Sequence, residues 1–280
     1  EVKLDKKLPN GKNLDAAIKL NNKCINFEIT ILSSSDEDYY VSNQYNEALK
    51  YFEDGLQIAI ESGDYKNQGI ILNELGAMAM RRGEYEKANH YLTKCLEVKK
   101  QVGDPNAIAI SQYQLGNYYL ITEQYDDAYK YYQSAMEVFR SVRNNRDMAS
   151  CLGQLAWIER GRKNYSESRK LLLQSEKLFN DLGDEKGLSR IQYYLGRIDL
   201  DEEKADEAEI HFQISLNHAF NLQNPELIAY ATYGLGLLQI KLNISTAIDY
   251  LSKSKKMFDD LHNPMYREIE ILLSEISPEK

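Results

Sequence analysis

Histidine and cysteine are the side chains of this sequence best suited to metal binding or nucleophilic catalysis, and their spacing favours neither. His211 and His218 lie two helical turns apart, but no third ligand accompanies them. Cys24, Cys95 and Cys151 are far apart, whereas a structural zinc site requires closely spaced pairs such as Cys-x2-Cys. The phosphate-binding loop, His-Glu-x-x-His and Gly-x-Ser-x-Gly motifs are absent. The sequence therefore predicts no catalytic residue, no metal site and no cofactor, and we do not expect an enzyme.

Arginine and aromatic side chains are the other functional groups of note in this sequence, and they are suited to ligand binding rather than to catalysis. The 280 residues include 21 tyrosines and one tryptophan, and 43 Asp and Glu outnumber 34 Lys and Arg for a formal net charge of −9. Hydrophobic residues make up 43% of the chain, which is enough for a substantial core. Because a negative field repels phosphate, we expect neither nucleic acid nor a membrane as a partner.

Three features of the sequence bear on its compartment. The sparse, odd set of cysteines favours reduced thiols in a cytoplasmic protein. The polar, lysine-rich start from Glu1 to Lys12 is unlike a secretory signal, and a first residue other than Met suggests a processed or excised segment. The uncharged stretch from Leu227 to Ile240 is shorter than the about 20 residues of a membrane span and predicts a buried helix.

A period of 40 residues organises most of the chain. The first residue of a Leu-Gly pair, which is Leu-Ala in one copy, recurs at Leu75, Leu115, Leu155, Leu195 and Leu235. Two further series keep the same register: Ala48, Ala88, Ala128, Ser168 and Ala208, and Tyr45, Tyr85, Tyr125 and Tyr165. Repetition at this period is typical of solenoids, in which each unit packs against its neighbours.

Each unit has the pattern of two antiparallel helices. Apolar residues recur at helical spacing over 69–80 and predict a first helix, which ends at the polar break around Gly83. A second helix is predicted from Tyr85. Gly76 and Ala88 lie where the two backbones are expected to approach closely, because a larger side chain would force the helices apart.

Capping residues mark the boundaries between units. Asp104-Pro105, Asn224-Pro225 and Asn263-Pro264 predict new helices, because Asp and Asn cap free amides and Pro fits the first helical position.

The pattern resembles the tetratricopeptide repeat family, in a variant whose unit is 40 residues rather than the usual number of about 34. The matching features are the Leu-Gly pair, the Tyr before the second helix, the Ala three residues later and a bulky residue four further on. That bulky residue is Phe52, Leu92, Tyr132, Leu172, Phe212 or Leu251. The resemblance implies an all-α fold: a right-handed α-solenoid of tandem helix-turn-helix repeats with a C-terminal capping helix.

Three regions follow from the extent of the repeat. Residues 1–42 form an irregular N-terminal helical unit with a polar loop at Ser33–Asp38, residues 43–261 form the repeat superhelix, and residues 262–280 form a capping helix and tail. The repeat departs from the family pattern in three places: Ser168 replaces Ala, Ala205 replaces Tyr, and the fifth unit lacks one residue in Lys241–Ser245.

The resemblance also implies which residues face the concave groove. The first helices line this groove, and the lining positions lie at fixed distances from the leucine of each Leu-Gly pair. Those positions are rich in arginine and aromatic residues and poor in acids, although the chain as a whole is acidic. The predicted binding residues are Asn73, Arg81, Tyr113, Asn117, Trp157, Arg160, Arg190, Tyr193, Arg197, Tyr230 and Tyr233. Tyr, Trp and Arg dominate binding hot spots, Arg binds carboxylates at two points, and Asn can bond a peptide backbone.

We therefore expect a non-enzymatic protein- or peptide-binding repeat domain, as in the sensor or adapter part of a signalling protein. Its expected ligand is an acidic or extended peptide segment, including one that ends in a carboxylate, held in the concave groove. The resemblance leaves open three alternatives: the ligand-sensing repeat region of a multidomain ATPase switch, a cytoplasmic peptide-pheromone receptor, and a static scaffold. The identity of the partner and the oligomeric state do not follow from the sequence.

Overall fold

The computed structural model describes residues 37–261 and 263–277, with side chains from residue 48 onward, and the regular elements among these residues are all α-helices. They are α1 (Glu37–Glu61), α2 (Tyr65–Arg81), α3 (Tyr85–Val102), α4 (Pro105–Ile121), α5 (Tyr125–Ser141), α6 (Asn145–Gly161), α7 (Tyr165–Leu182), α8 (Glu185–Asp201), α9 (Ala205–Asn221), α10 (Pro225–Leu242), α11 (Ile244–Asp260) and α12 (Met265–Ile276). The predicted all-α fold of helix-turn-helix repeats is confirmed.

The described helices divide into two compact units. The first comprises residues 37–80 and 84–104, and the second comprises residues 81–83 and 105–277. In the second unit the helices pack in the predicted pairs: α4 on α5, α6 on α7, α8 on α9, and α10 on α11. The expected capping helix is α12, which packs on α11 and buries Ile269 in one apolar cluster with Leu251 and Phe258.

Small residues let the two helices of a pair touch. A Cβ atom added to Gly76 would lie 2.7 Å from the side chain of Leu92, and one added to Gly196 would lie 2.7 Å from the ring of Phe212. Ala88 is fully buried. Because these separations are far inside van der Waals contact, the small residue of the Leu-Gly pair is a packing requirement, as the sequence predicts.

The third repeat meets the same requirement in another way. Its Leu-Gly pair is Leu155-Ala156, so Ala156 stands in place of Gly, and Ser168 replaces the usual Ala on the second helix. The buried Ser168 hydroxyl donates a hydrogen bond to the Ala156 carbonyl at 2.6 Å. A buried hydroxyl with a partner is tolerated, so this departure from the family pattern keeps the helix pair closed.

Side-chain caps begin several helices, and the predicted cap at Asn224-Pro225 is confirmed, whereas Pro264 precedes the first residue of α12 and is not its first helical residue. Asn224 accepts a hydrogen bond from the amide of Leu227 at 3.0 Å, and Pro225 is the first residue of α10. Asp184 caps α8 in the same way, accepting from the amide of Gly187 at 3.0 Å. The caps satisfy amides that the first helical turn leaves without partners.

The turns between helices place one residue in the left-handed region of backbone conformation. Glycine takes this position in four turns, at Gly63, Gly83, Gly103 and Gly183. Other residues take it at Glu123, Arg143, Lys163, Glu203 and Gln223, with φ between 50° and 62°. The left-handed conformation costs about 1–2 kcal/mol at a residue other than glycine, so these five turns are strained.

The one-residue deletion in the fifth repeat removes this turn. Asn243 alone separates α10 from α11, in an extended conformation with φ −154° and ψ 102°. Its amide donates to the carbonyl of Gln239 at 2.8 Å, and its side chain accepts from the amide of Thr246 at 3.2 Å. A single residue thus ends one helix and caps the next, which explains how the repeat tolerates the deletion.

The start of the chain differs from the sequence prediction. Most of the N-terminal unit predicted over residues 1–42 lies outside the described residues, as does Cys24. Helix α1 begins at Glu37, so the predicted polar loop is wrong for Glu37 and Asp38. Acidic residues in a first turn are favoured by the helix dipole, which explains why this segment is helical despite its polarity.

Candidate functional site

The first helices of successive repeats are neighbours within the second unit. Helix α8 contacts both α6 and α10 as well as its own partner α9. Because the repeat register places equivalent residues at equivalent positions, these helices present one common face, which we term the first-helix surface. Six predicted binding residues meet there in an aromatic–arginine cluster: Trp157 and Arg160 of α6, Tyr193 and Arg197 of α8, and Tyr230 and Tyr233 of α10.

Stacked and tilted rings form the body of the cluster. The rings of Trp157 and Tyr193 are stacked with centroids 6.4 Å apart, and Tyr193 lies 5.6 Å from Tyr230. Beneath them, Tyr193 contacts Phe212 at 6.0 Å and Tyr230 contacts Phe258 at 4.8 Å. Tyr193 is nearly buried, while Trp157 and Tyr230 remain partly exposed. The packing fixes the exposed ring surfaces in place, which lowers the entropic cost of binding.

Arg197 lies among these rings without a carboxylate of its own. Its guanidinium carbon is 5.4 Å from the centroid of the Trp157 ring, 5.8 Å from that of Tyr193 and 5.7 Å from that of Tyr233. Within the described part of the chain it donates one hydrogen bond, to the Tyr193 hydroxyl at 2.8 Å, and its buried Nε has no hydrogen-bond partner there. Leaving such a donor unpaired costs about 1–3 kcal/mol, and no carboxylate among the described residues offsets that cost through an ion pair with Arg197.

Arg160 is held differently, by an acidic residue of the neighbouring repeat. Its Nη2 donates to Asp201 Oδ1 at 2.9 Å. Its Nε lies 2.7 Å from Asp201 Oδ2, close enough for an ion pair but not aligned for a hydrogen bond. The guanidinium carbon is 4.5 Å from the centroid of the Trp157 ring. Two guanidinium groups therefore share one indole, and a single carboxylate pairs with one of them.

The pKa values of the two arginines reflect this arrangement. Burial, followed by the like charge of Arg197, lowers the pKa of Arg160, although Asp201 opposes the change. Burial also acts to lower the pKa of Arg197, but Tyr193 and Tyr233 act in the opposite direction and the net pKa is raised. An arginine stays protonated throughout the physiological range, so both groups remain cations. With Asp201 ionised, the cluster carries one excess positive charge.

Tyr113 and Asn117 of α4 belong to the next repeat along this surface. The Tyr113 hydroxyl accepts a hydrogen bond from Gln154 of α6 at 3.5 Å, and burial raises the pKa of this tyrosine. The Asn117 amide accepts from the Tyr132 hydroxyl at 2.7 Å and donates to Gln114 at 3.1 Å. An amide has two donor and two acceptor positions, so Asn117 retains one of each for a peptide backbone.

Arg190 lies on the exposed side of α8, one repeat step from Tyr230. Its charge acts to lower the pKa of Tyr113, Tyr194 and Tyr230, which places its guanidinium within electrostatic reach of three hydroxyls. Burial nevertheless raises the pKa of each of these tyrosines, to about 12 for Tyr230. Arg190 thus extends the positive charge of the first-helix surface beyond the cluster.

Asn73 and Arg81 are not among the residues that the cluster brings together. Both lie on α2, and Asn73 belongs to the first compact unit. The Asn73 Oδ1 atom is buried and has no hydrogen-bond partner among the described residues, so this acceptor is unsatisfied there. Arg81 is an exposed residue at the end of α2. Their part in binding remains a prediction.

Sequence reasoning missed one member of the site, Tyr194, and did not count another, Asp201, among the binding residues. Tyr194 precedes a ladder leucine and was not assigned to the groove, yet its ring lies 5.0 Å from that of Trp157. The adjacent pair Tyr193-Tyr194 was the signal that could have found it, since both rings flank the indole. Asp201 occupies a groove position in the repeat register, but its acidity set it apart from the expected arginine-rich surface.

The described residues contain no group of three or more His, Cys, Asp and Glu side chains that could hold a metal ion. His211 contacts Gln192 and Asp199, and His218 contacts Glu185. Cys95 and Cys151 are buried free thiols, as the sequence predicts. Among the described helices, none is long and apolar enough to cross a membrane.

The sequence matches the Tetratricopeptide repeat family over residues 37–101 and 107–181, which together make up half of the chain. The chain therefore belongs to the tetratricopeptide repeat family, as its 40-residue pattern predicts. No curated relative matches it in sequence.

Solved structures with the same fold include bacterial peptide-bound proteins. NprR in complex with its cognate peptide NprX is 17% identical, with a TM-score of 0.68 over 94% of this chain and 82% of that chain. A Rap protein complexed with Competence and Sporulation Factor is 11% identical, with a TM-score of 0.61 over 94% and 81%. Aspartyl phosphate phosphatase F from Bacillus subtilis is 10% identical, with a TM-score of 0.65 over 100% and 86%. At these identities the similarity shows the fold alone.

Proposed function

We propose that this protein is a non-enzymatic peptide-binding repeat domain whose second unit holds an extended, acidic peptide segment on the first-helix surface. The observation that carries the proposal is Arg197, whose buried Nε lacks a partner and whose guanidinium lies among three aromatic rings. A carboxylate of the peptide pairs with the Arg197 guanidinium, and the partly exposed rings of Trp157 and Tyr230 accept an apolar or aromatic side chain.

The proposed ligand is a short stretch of chain rather than a folded face. Repeats along the surface offer different groups in series: the Asn117 amide on α4, followed by the cluster, whose members lie on α6, α8 and α10. An extended peptide presents its backbone and alternate side chains to such a series, which is how main-chain contacts supply affinity and pockets supply specificity. Arg190 adds a further cation beside this path.

The comparisons support a peptide sensor in preference to the ATPase-switch alternative. NprR and a Rap protein share the fold and bind the peptides named with them. A role as a cytoplasmic peptide-pheromone receptor, or as a sensor or adapter in a signalling protein, is therefore the form of the proposal we favour. The fold also occurs in an aspartyl phosphate phosphatase, so the absence of enzymatic activity is part of what we propose.

The experiment that tests the proposal uses a synthetic pool of randomised heptapeptides. The purified full chain is immobilised and exposed to the pool, and bound peptides are eluted and identified by mass spectrometry. We expect the wild-type chain to enrich peptides that combine an acidic group with an apolar or aromatic residue. The triple variant Arg160→Ala, Arg190→Ala and Arg197→Ala is expected to lose this enrichment, because it removes the positive charge of the surface.

A matched variant controls for net charge. Arg140→Ala, Arg143→Ala and Arg146→Ala also removes three positive charges, at the end of α5 and the start of α6, outside the cluster. We expect it to enrich the same peptides as the wild-type chain. Unchanged enrichment by the first variant, with helical circular dichroism intact, would contradict the proposed site.

A further inference from the structure

Asp201 occupies an unusual place for an acidic residue. It is the last residue of α8, where the negative end of the helix dipole disfavours a carboxylate. Its side chain is 27% exposed and pairs at two points with the less exposed Arg160 of the neighbouring repeat. The contact joins residues 41 positions apart and so ties α6 to α8. The dipole of α8 opposes the negative charge of Asp201, and the ion pair with Arg160 stabilises that charge.

This contact places a carboxylate of the protein at the proposed ligand site. The charge of Asp201 also acts on Arg197, where it helps to raise the pKa of that arginine. Two guanidinium groups thus face one internal carboxylate. A ligand carboxylate that approaches Arg197 meets the attraction of the two arginines and the repulsion of Asp201, so the two carboxylates compete for the same cations.

We propose that Asp201 is an intramolecular competitor of the ligand. A peptide carboxylate binds Arg197, replaces Asp201 as the partner of the Arg160 guanidinium, and displaces the Asp201 side chain into solvent. The inference rests on the proposed function and adds its regulation. The chemistry recognised is a carboxylate, supplied by the C-terminus of a peptide or by an Asp or Glu side chain. Because Asp201 is partly exposed at a helix end, its side chain can turn outward without unfolding α8.

Displacement also changes the contact between repeats. The Arg160–Asp201 pair joins two first helices directly, at the surface the peptide occupies. When a ligand carboxylate pairs with Arg160 in place of Asp201, the ion pair that joins α6 to α8 is broken. The ligand, a separate molecule, then takes the place of a side chain of α8. Binding is thereby coupled to the packing of one repeat on the next.

The test compares Asp201→Asn with a matched control in the same turn. Asp201→Asn removes the competing charge at constant size, and Glu203→Gln removes an equal charge two residues later. Glu203 is 81% exposed and pairs with Lys241 rather than with the cluster. Trp157 is the one tryptophan of the chain, so with peptides that lack tryptophan the fluorescence reports binding at this site.

Three heptapeptide pools serve as probes: a randomised pool with free C-terminal carboxyl groups, the same pool with amidated C-termini, and an amidated pool with Asp at the central position. We expect Asp201→Asn to bind at least one carboxylate-bearing pool about tenfold more tightly than the wild-type chain. The amidated random pool is expected to bind both proteins equally. The pool that responds identifies the source of the carboxylate.

The outcomes separate this inference from the proposed function. Tighter binding by Asp201→Asn, with Glu203→Gln within about twofold of the wild-type chain, supports competition. Peptide binding by the wild-type chain that Asp201→Asn leaves equal or weaker overturns the competition and leaves the peptide site standing. If neither protein responds to any pool, both proposals are overturned. Asp201→Ser serves as a second releasing variant, and circular dichroism confirms that each protein is folded.

Discussion

The guanidinium of Arg197 donates a hydrogen bond to the hydroxyl of Tyr193, 2.8 Å away and one turn earlier on α8. This bond holds the arginine against the rings of the cluster while its Nε stays without a partner. The repeat register supplies both residues from the same helix face, and the neighbouring repeats supply Trp157 and Tyr233 around them. A fixed cation with a spare donor is a preorganised binding group.

Replacing Arg197 by Lys tests whether the planar fork of the arginine matters as well as its charge. We expect affinity for the selected acidic peptides to fall about tenfold, because a lysine ammonium offers neither two-point contact nor stacking. Isothermal titration calorimetry measures the change. Arg190→Lys is the matched control, since Arg190 is exposed and acts at a distance, and its affinity should change by about twofold or less. Equal effects at the two positions would argue against a role for the fork.

Gly196→Ala tests the packing requirement of the Leu-Gly pair. The added methyl group would lie 2.7 Å from the ring of Phe212, so we expect the free energy of unfolding to fall by about 1–3 kcal/mol. Gly161→Ala is the control: it ends α6 with nothing within 4 Å of the new atom, and stability should stay equal or rise. Urea denaturation followed by circular dichroism measures both. A neutral Gly196→Ala would show that the ring moves aside without cost.

Arg143→Gly tests the strain in the turns. Arg143 is exposed and has a φ of 58°, whereas the equivalent Gly183 has a φ of 62°. Glycine adopts this conformation without steric cost, so we expect a gain of about 1 kcal/mol in the free energy of unfolding. Arg143→Ala removes the same side chain but keeps the strain, and it should leave stability unchanged. A gain of equal size in both variants would attribute the effect to lost charge instead.

Alkaline pH tests the burial of the tyrosine cluster. Burial, opposed by the hydrogen bond from Asn263, raises the pKa of Tyr230 to about 12, against about 10 in an unfolded chain. Between these values the unfolded chain releases a proton that the folded protein retains. The contribution to stability is therefore complete below pH 10 and is lost as the pH rises toward 12.

Tyr230→Phe removes this titration, so its free energy of unfolding should fall less steeply than that of the wild-type chain from pH 10 to 12. Urea midpoints at several pH values measure the slope. A slope for Tyr230→Phe identical to that of the wild-type chain would contradict a buried Tyr230 hydroxyl.

The fold followed from the sequence because its packing requirements recur every 40 residues. A packing requirement such as the contact of Gly76 with Leu92 recurs in other helix pairs, so a small residue recurs at the equivalent position of the repeat. Single events were harder to foresee. The start of α1 at Glu37 depends on a polar segment without repeats, and the extended Asn243 depends on one deletion.

The site was predictable in position but not in its internal pairing. The register brought Trp157, Tyr193 and Arg197 to one surface, because equivalent positions on first helices are neighbours. Register carries no information about which arginine is neutralised, since that depends on side-chain conformers across a helix interface. The Arg160–Asp201 pair and the unpaired Arg197 therefore emerged only from the structure.

The measurement that tests the central claim most directly is a double-mutant cycle between the protein and a selected peptide. Arg197→Gln removes the cation, and replacing the acidic group of the peptide by its amide removes the anion. Tryptophan fluorescence from Trp157 gives the four dissociation constants. We expect a coupling free energy of at least about 1 kcal/mol, because each change removes the same contact. Additive losses, with no coupling, would contradict a carboxylate bound at Arg197.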